Sequence, residues 1–162
     1  MWATRDSAAA LPMAVVGTTV AVSRRGPLSL LGTGQGQAMA WALERRVGLQ
    51  SNNPSLAIEA LSGGNQQKIV VGRWLDSGRR LMITEDPTAG VDVGAKAEIY
   101  HLLFQALASG MGVLVVSTDF EEVAAICHRA IVFSRGLPVA ELTGAQLSTA
   151  SLIQAASAGE AA

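Results

Sequence analysis

Two short stretches determine how this sequence of 162 residues is interpreted. Residues 61–68 read LSGGNQQK, and residues 81–92 read LMITEDPTAGVD. In the first stretch, two adjacent glycines stand before a segment with helical apolar spacing, so backbone N–H groups at that helix start can approach an anion closely. In the second, the apolar run 81–83 predicts a buried strand that ends at two carboxylates. These features predict a phosphate-contacting helix start and a strand that carries acids to the edge of a sheet.

The apolar residues on either side of these stretches alternate between helical and strand-like spacing. Helices are predicted over 37–47, 64–76, 94–109 and 118–127, and a last helix after Thr143. Strands are predicted over 81–83, 113–116, 131–133 and 138–142. The expected N-caps are Ser62, Asp92, Thr118 and Thr143. Buried strands that alternate with amphipathic helices predict an α/β fold, with a parallel sheet flanked by helices.

The composition favours a folded domain and excludes several classes of function. A hydrophobic content of 49% with 15% charged residues is enough for a sizeable core and excludes a disordered chain. The net charge of −1 and the aromatic content of 4% argue against a nucleic-acid partner, which needs a basic face and stacking platforms. Cys127 is the single cysteine, so an internal disulfide and a thiolate zinc cluster are excluded.

The apolar run over 8–23 is the N-terminal stretch that most resembles a targeting or membrane segment. Pro12 and Gly17 interrupt it, and it is shorter than the roughly 20 residues that span a bilayer. It is therefore expected to be a buried or loosely ordered segment of a cytosolic protein.

The stretches 61–68 and 81–100 together strongly resemble the ATP-binding cassette (ABC) ATPases. Within that family the similarity is greatest to the tandem-domain ATPase subunits of bacterial importers of the ribose, xylose and galactose type, in particular to their second cassette. The Asn-Gln-Gln-Lys run over 65–68 and the segment 91–98 carry the resemblance to this branch, and similarity extends from about Gly48 to Leu142. The resemblance implies a P-loop NTPase fold with ATP and Mg²⁺ as ligands.

The resemblance also implies a role for each motif residue. Glu85 takes the place of the Walker B aspartate that supports Mg²⁺, and Asp86 takes the place of the catalytic glutamate. Asp92 is expected at the interface between two cassettes, and Thr118 occupies the position of the switch histidine. The remaining positions that would contact ATP, held by the opposing cassette, are Ser62, Gly63, Gly64, Asn65 and Gln66.

Three departures from the family pattern bear on activity. The acidic pair is reversed to Glu85-Asp86, which leaves the base about 1.5 Å, one carbon–carbon bond, short of the water it should orient. A threonine replaces the switch histidine. No G-x-x-x-x-G-K-[ST] phosphate loop is present in the sequence.

The nearest candidate for a phosphate loop is the glycine-rich stretch 32–37, GTGQGQ, which is predicted as a loop. Gln35 lies too few residues before Ser62 to leave room for a helical subdomain, so 37–50 is instead interpreted as the last helix of that subdomain. The expectation is thus a single truncated nucleotide-binding domain over 1–162 that lacks the phosphate-loop part. Its parts would be a weakly matching 1–36, the end of the helical subdomain over 37–60, the signature and Walker B half over 61–142, and a C-terminal helix and tail over 143–162.

The function implied is that of an ATP-binding and ATP-hydrolysing subunit, or a fragment of one, that couples ATP to carbohydrate uptake. Two alternatives stay open: a non-catalytic module that donates its LSGGN signature in trans to a complete cassette, and an inactive remnant. Whether the chain is itself an enzyme is left undecided, because the phosphate loop is missing. The implied partners are a second cassette, transmembrane permease subunits and, indirectly, a periplasmic or extracellular sugar-binding protein. The implied location is the cytoplasmic face of the cell membrane.

Overall fold

Helices and strands alternate along the chain, as the apolar spacing predicts. The computed structural model describes residues 2–3, 33–49, 57–75 and 78–160. Its elements are β1 (Trp2–Ala3), α1 (Thr33–Arg46), α2 (Gly63–Leu75), β2 (Leu81–Glu85), α3 (Val93–Ala108), β3 (Gly112–Val116), α4 (Phe120–Ile126), β4 (Arg129–Ser134), β5 (Leu137–Thr143) and α5 (Thr149–Glu160). Short 3₁₀ turns lie at Ile58–Ala60 and Gly144–Gln146. The chain divides into two compact units, Met1–Leu114 and Val115–Ala162.

A three-stranded sheet with the order β1–β2–β3 has β2 at its centre. β1 and β2 run parallel, with Trp2 opposite Ile83 and Ala3 opposite Thr84. On the other edge, the N–H of Gly112 at the start of β3 donates to the carbonyl of Arg80 at 2.8 Å. Because β2 has a neighbour on each edge, the backbone that carries Glu85 at its carboxyl end is held by the sheet.

The first unit builds its core around α2, which packs against both α1 and α3. α2 is buried along most of its length because apolar side chains occupy more than one of its faces. Buried apolar side chains in and beside the three helices include Leu43, Val47, Ile69, Val70, Val71, Trp74, Leu75, Ile99, Leu102 and Leu103. The signature therefore belongs to a helix whose remainder is fixed in the core.

The second unit consists of a β-hairpin, formed by β4 and β5, and the helices α4 and α5. β4 and β5 pair antiparallel, and the turn residues Arg135 and Gly136 have φ values of 49° and 80°, as a two-residue hairpin turn requires. α5 packs against both strands and against α4. It lies so close to the hairpin that a Cβ added at Gly159 would stand 2.7 Å from Ser134 Cβ.

Several predicted boundaries and caps are wrong. The helix predicted over 37–47 begins at Thr33, so residues 33–36, predicted as a loop, lie within α1. The cap of α4 is Asp119 rather than Thr118, and its carboxylate accepts from the N–H of Glu122 at 2.9 Å. Thr143 makes no capping bond, and Ser148 accepts from the N–H at the start of α5 instead. In each case several polar residues compete for the cap, and the local backbone conformation selects one.

The predicted strand over 138–142 exists as β5, but it does not extend a parallel sheet. A two-residue turn joins it to β4, and a connection that short permits antiparallel pairing alone. The apolar run over 8–23 lies outside the described residues. Within the ranges that are described, no helix is long and apolar enough to cross a bilayer.

We expect Gly72→Ala to destabilise the first unit, although alanine is the better helix former. A Cβ at residue 72 would overlap Val47 Cγ1 and lie 2.9 Å from Leu43 Cδ1. Because Val47 is β-branched and stiff, α1 and α2 must separate, which costs about 1–3 kcal/mol against a propensity gain of roughly 1 kcal/mol. Urea denaturation measures the change. In a double-mutant cycle, Val47→Ala is expected to show favourable coupling with Gly72→Ala, and additive effects would contradict the contact.

Candidate functional site

The signature segment, residues 62–64, forms the start of α2. Ser62 precedes the helix, and its Oγ accepts from the N–H of Asn65 at 3.4 Å, a weak capping contact. The side-chain amide of Gln66 donates to the carbonyl of Leu61 at 2.8 Å, so Gln66 holds the chain that leads into the helix. The first N–H groups of a helix have no acceptor within it, and here two of them belong to glycines. This start therefore offers N–H donors at the positive end of a helix of 13 residues, with Gly63 partly exposed and Gly64 buried.

The acidic loop, residues 85–92, joins β2 to α3 through consecutive turns. Glu85 is exposed at the end of β2, and Asp86 follows with a φ of 40°, a left-handed conformation that is uncommon outside glycine. The carbonyl of Asp86 accepts from the N–H of Ala89 at 3.0 Å, which closes the first turn. The first turn of the acidic loop therefore begins at Asp86, directly after the strand residue Glu85.

The end of the acidic loop caps α3, as predicted. Asp92 has an extended backbone, and its Oδ1 accepts from the N–H of Ala95 at 2.9 Å. Gly90, two residues earlier, has a φ of 68°, which the turn into the cap requires. The predicted role of Asp92 as an N-cap is confirmed.

The structure brings the signature segment and the end of the acidic loop together. A Cβ placed on Gly63 would lie 3.8 Å from the carbonyl oxygen of Gly90. A Cβ placed on Gly64 would lie 3.8 Å from Asp92 Oδ2 and 2.5 Å from Ala95 Cβ. Gly64 is buried at this contact, and its lack of a side chain allows α2 to approach α3 at a distance no other residue permits.

An ion pair that sequence reasoning missed lies one helical turn further along the same contact. Lys68 Nζ donates to Glu98 Oε2 at 2.6 Å, with side chains that are 6% and 57% exposed. Both residues lie in the segments that carry the family resemblance, but 30 positions separate them in sequence and no local pattern pairs them. The opposite charges of Lys68 and Glu98 are the one sequence feature that suggests a pair. Only the packing of α2 on α3 shows that these two residues are close enough to form it.

Thr118 belongs to the second unit, where it is exposed between β3 and α4. Its neighbours there form a small polar group. Ser117 Oγ donates to Glu122 Oε2 at 2.9 Å, and Glu122 is 1% exposed. Burial, and secondly the negative charge of Glu122, raise the pKa of the Cys127 thiol.

The carboxylates of the acidic loop fit a Mg²⁺ ion bound in the manner usual for nucleotide sites. Magnesium in such sites keeps several waters and takes one or two carboxylates together with phosphate oxygens. Glu85 is exposed at the carboxyl end of a central strand, which suits such a partial set of protein ligands. Among the described residues, no group of three or more His, Cys, Asp and Glu side chains stands ready to hold a metal by itself.

The chain is similar in sequence to several proteins that are named as ribose import ATP-binding proteins. The ribose import ATP-binding protein RbsA 2 of Burkholderia cenocepacia is 34% identical over 155 residues, which is 88% of this chain and 31% of that protein. RbsA 1 of Burkholderia thailandensis is 41% identical over 102 residues, 63% of this chain and 20% of that protein. RbsA 2 of Rhizobium meliloti is 34% identical over 130 residues, 80% of this chain and 25% of that protein. The chain belongs to the ATP-binding cassette family.

Solved structures agree on the fold of this cassette chain. A dimeric bacterial ABC transporter cassette superposes with a TM-score of 0.68 at 21% identity, over 82% of this chain and 58% of that one. CbiO1 of Clostridium perfringens superposes with a TM-score of 0.66 at 20% identity, over 86% of this chain and 54% of that one. The predicted P-loop NTPase fold is therefore confirmed. No protein-family model matches the chain. The chain spans about a third of the length of the relative from Burkholderia cenocepacia.

We expect Gly64→Ala to push the cassette's α2 away from α3. The added methyl would meet Ala95 Cβ, which has no rotatable bond with which to yield, so the helices themselves must shift at a cost of about 1–3 kcal/mol of unfolding free energy. Ala95→Gly, placed in the same chain, removes the opposing methyl. Chemical denaturation should therefore find G64A/A95G more stable than the sum of the two single changes predicts. Strict additivity would rule out the close approach.

We expect Cys127 to react with iodoacetamide at a higher pH than an unfolded thiol does. Its raised pKa keeps less thiolate at neutral pH, so the labelling rate should climb toward its plateau later on the pH axis. Glu122→Gln removes the second cause, so the midpoint should move to lower pH while staying above that of the denatured chain. Mass spectrometry of labelling over time gives both midpoints. An unchanged midpoint in the variant would show that the charge of Glu122 does not reach the thiol.

Proposed function

We propose that this chain acts in a bacterial sugar importer, where its signature segment contacts the γ-phosphate of ATP held by a facing cassette. The relatives named as ribose import proteins support the sugar-importer class. The observation that carries the proposal is the start of α2, where the exposed Ser62 hydroxyl and the N–H of the partly exposed Gly63 lie beside the acidic loop, with Gly64 buried behind them. Donors of this kind at a helix N-terminus suit a phosphate oxygen.

The packing of the helix start favours phosphate over a merely structural role for the glycines. Close packing against Ala95 explains why residue 64 is a glycine. At residue 63 a Cβ would lie 3.8 Å from the carbonyl oxygen of Gly90, so a side chain would fit there without a clash. A glycine at residue 63 leaves the N–H accessible to an incoming anion. Ser62, whose capping contact is weak at 3.4 Å, has a hydroxyl that can turn toward the same anion.

The reversed acidic pair of this chain is expected to support ATP hydrolysis less well than the Asp-Glu pair that is usual in the family. Glu85 would support Mg²⁺, and Asp86 would orient the attacking water, with the ion supplying charge stabilisation for the transferred phosphoryl group. The side chain of Asp86 is one carbon–carbon bond shorter than glutamate, and displacements near 1 Å can lower rates about 10²-fold. Thr118 also lacks an imidazole that could hold a proton. We therefore assign this chain the donation of its signature segment to ATP held by a facing cassette.

Partners and location follow from this role. The chain would face a second cassette across the nucleotide, and both would dock on transmembrane permease subunits at the cytoplasmic face of the membrane. A periplasmic or extracellular sugar-binding protein would act on the other side of the permease. Asn65, Gln66 and Asp92 would line the side of the nucleotide next to the signature segment.

Ser62→Arg is expected to abolish stimulation of ATP hydrolysis when the chain is added to a purified complete cassette of a ribose importer. The arginine side chain fills the space that a phosphate oxygen would take, and it removes the hydroxyl. We expect a rise in hydrolysis with the wild-type chain and a loss of about 10²-fold in the stimulated part with the variant. Phosphate release, measured against time, gives both rates.

Ser148→Arg is the matched control, because Ser148 also accepts from an N–H at a helix start but lies in the second unit. Both substitutions replace a capping serine with arginine, and the thermal midpoint of each variant shows how much stability it loses, which is expected to be about 1 kcal/mol or less. Stimulation by the Ser148 variant should match wild type. Equal loss in the two variants, or no stimulation by the wild-type chain, would refute signature donation.

A further inference from the structure

The contact between α2 and α3 continues past the glycines as a line of paired residues, here named the α2–α3 seam. Gly64 faces Ala95, and Lys68 faces Glu98. Lys68 follows Gly64 by four positions and Glu98 follows Ala95 by three, so each helix presents its two residues on one face. The ion pair therefore lies about 6 Å, one helical turn, from the contact that brings the signature segment to the acidic loop.

The two members of the ion pair differ in surroundings. The Lys68 side chain is 6% exposed, and Glu98 is 57% exposed. A buried ammonium needs an anionic partner, whereas a half-exposed carboxylate can be hydrated when its partner is absent. A buried ion pair contributes little net stability compared with an apolar residue of similar size. Methionine, whose side chain has a length similar to the aliphatic part of lysine, is therefore a suitable replacement for Lys68.

A single short ion pair does fix geometry. The 2.6 Å bond joins a residue one turn inside α2 to a residue one turn inside α3, so rotation or sliding of either helix would stretch it. The Gly64–Ala95 contact sets how near the helices come, but two small groups do not resist sliding. We propose that Lys68 and Glu98 are a positioning pair that locks the signature segment to the acidic loop, so that both respond together to the nucleotide. This inference rests on the proposed function.

The test separates positioning from stability with three variants. Glu98→Gln keeps the shape of the side chain but leaves the ammonium buried without its charge partner, so both the thermal midpoint and stimulation of a complete cassette should fall. K68M/E98Q removes the buried charge as well, so the thermal midpoint should recover while the geometric lock stays absent. Lys68→Arg retains the charge pair, so its thermal midpoint and its stimulation of a complete cassette should stay near those of the wild-type chain. If Glu98→Gln fails to fold, the other two variants still decide.

Three measurements are made on each protein: the thermal midpoint, the NMR signals of the amides of Gly63, Gly64 and Gly90, and kcat and KM for ATP hydrolysis by the added complete cassette. For K68M/E98Q we expect displaced glycine signals and a kcat about 10-fold to 10²-fold lower. KM should change less than about 2-fold, because the complete cassette anchors ATP with its own phosphate loop. Glu59→Gln, which removes an exposed carboxylate from the same unit, is the matched control and should leave all three unchanged.

Recovery of kcat together with the thermal midpoint in K68M/E98Q would overturn the proposal, because it would leave the pair a purely structural role. Wild-type glycine signals in that variant would overturn it equally. Failure of the wild-type chain to stimulate any hydrolysis would instead refute the proposed function. In that event the glycine amide signals of K68M/E98Q alone test the positioning role of the ion pair. Displacement of the signals of Gly63, Gly64 and Gly90 together would support that role, and unchanged signals would refute it.

Discussion

The arrangement of the first unit depends on how closely α2 can approach α3. With an alanine on one helix facing a glycine on the other, the backbones come near enough that any side chain at residue 64 would overlap Ala95. This approach places the start of α2 beside Gly90 and Asp92, and it brings Lys68 within reach of Glu98. Since interiors are packed at near-crystalline density, small groups at such a crossing determine which polar groups meet on either side of it.

The acidic loop depends on the same crossing at one end and on the sheet at the other. β2, central in its three-stranded sheet, delivers Glu85, and Asp92 ends the loop as the cap of α3. Between these fixed ends the chain must reverse, and the positive φ values of Asp86 and Gly90 are where it does so. Of the two, only Asp86 is a non-glycine residue in the left-handed region, a conformation that persists where its surroundings determine it and that is frequent at functional sites.

Much of this could be predicted from local sequence. Apolar spacing and caps predict the strand over 81–83, the helix after Asp92 and the helix after Ser62, because both are short-range signals. The caps of α4 and α5 were assigned wrongly because several adjacent polar residues could serve and the backbone chose among them. The start of α1 is not predictable in this way, because Gly34 and Gly36 have low helix propensity and yet lie within the helix.

The sequence by itself determined the family, the order of elements and the residues of the signature and acidic loop, because each is encoded within about ten neighbouring positions. The tertiary structure decided which of those residues meet. Gly64 faces Ala95, and Lys68 pairs with Glu98, across about 30 intervening residues. No periodicity or motif carries that information, because the crossing of two helices is fixed by the shapes of all the side chains between them.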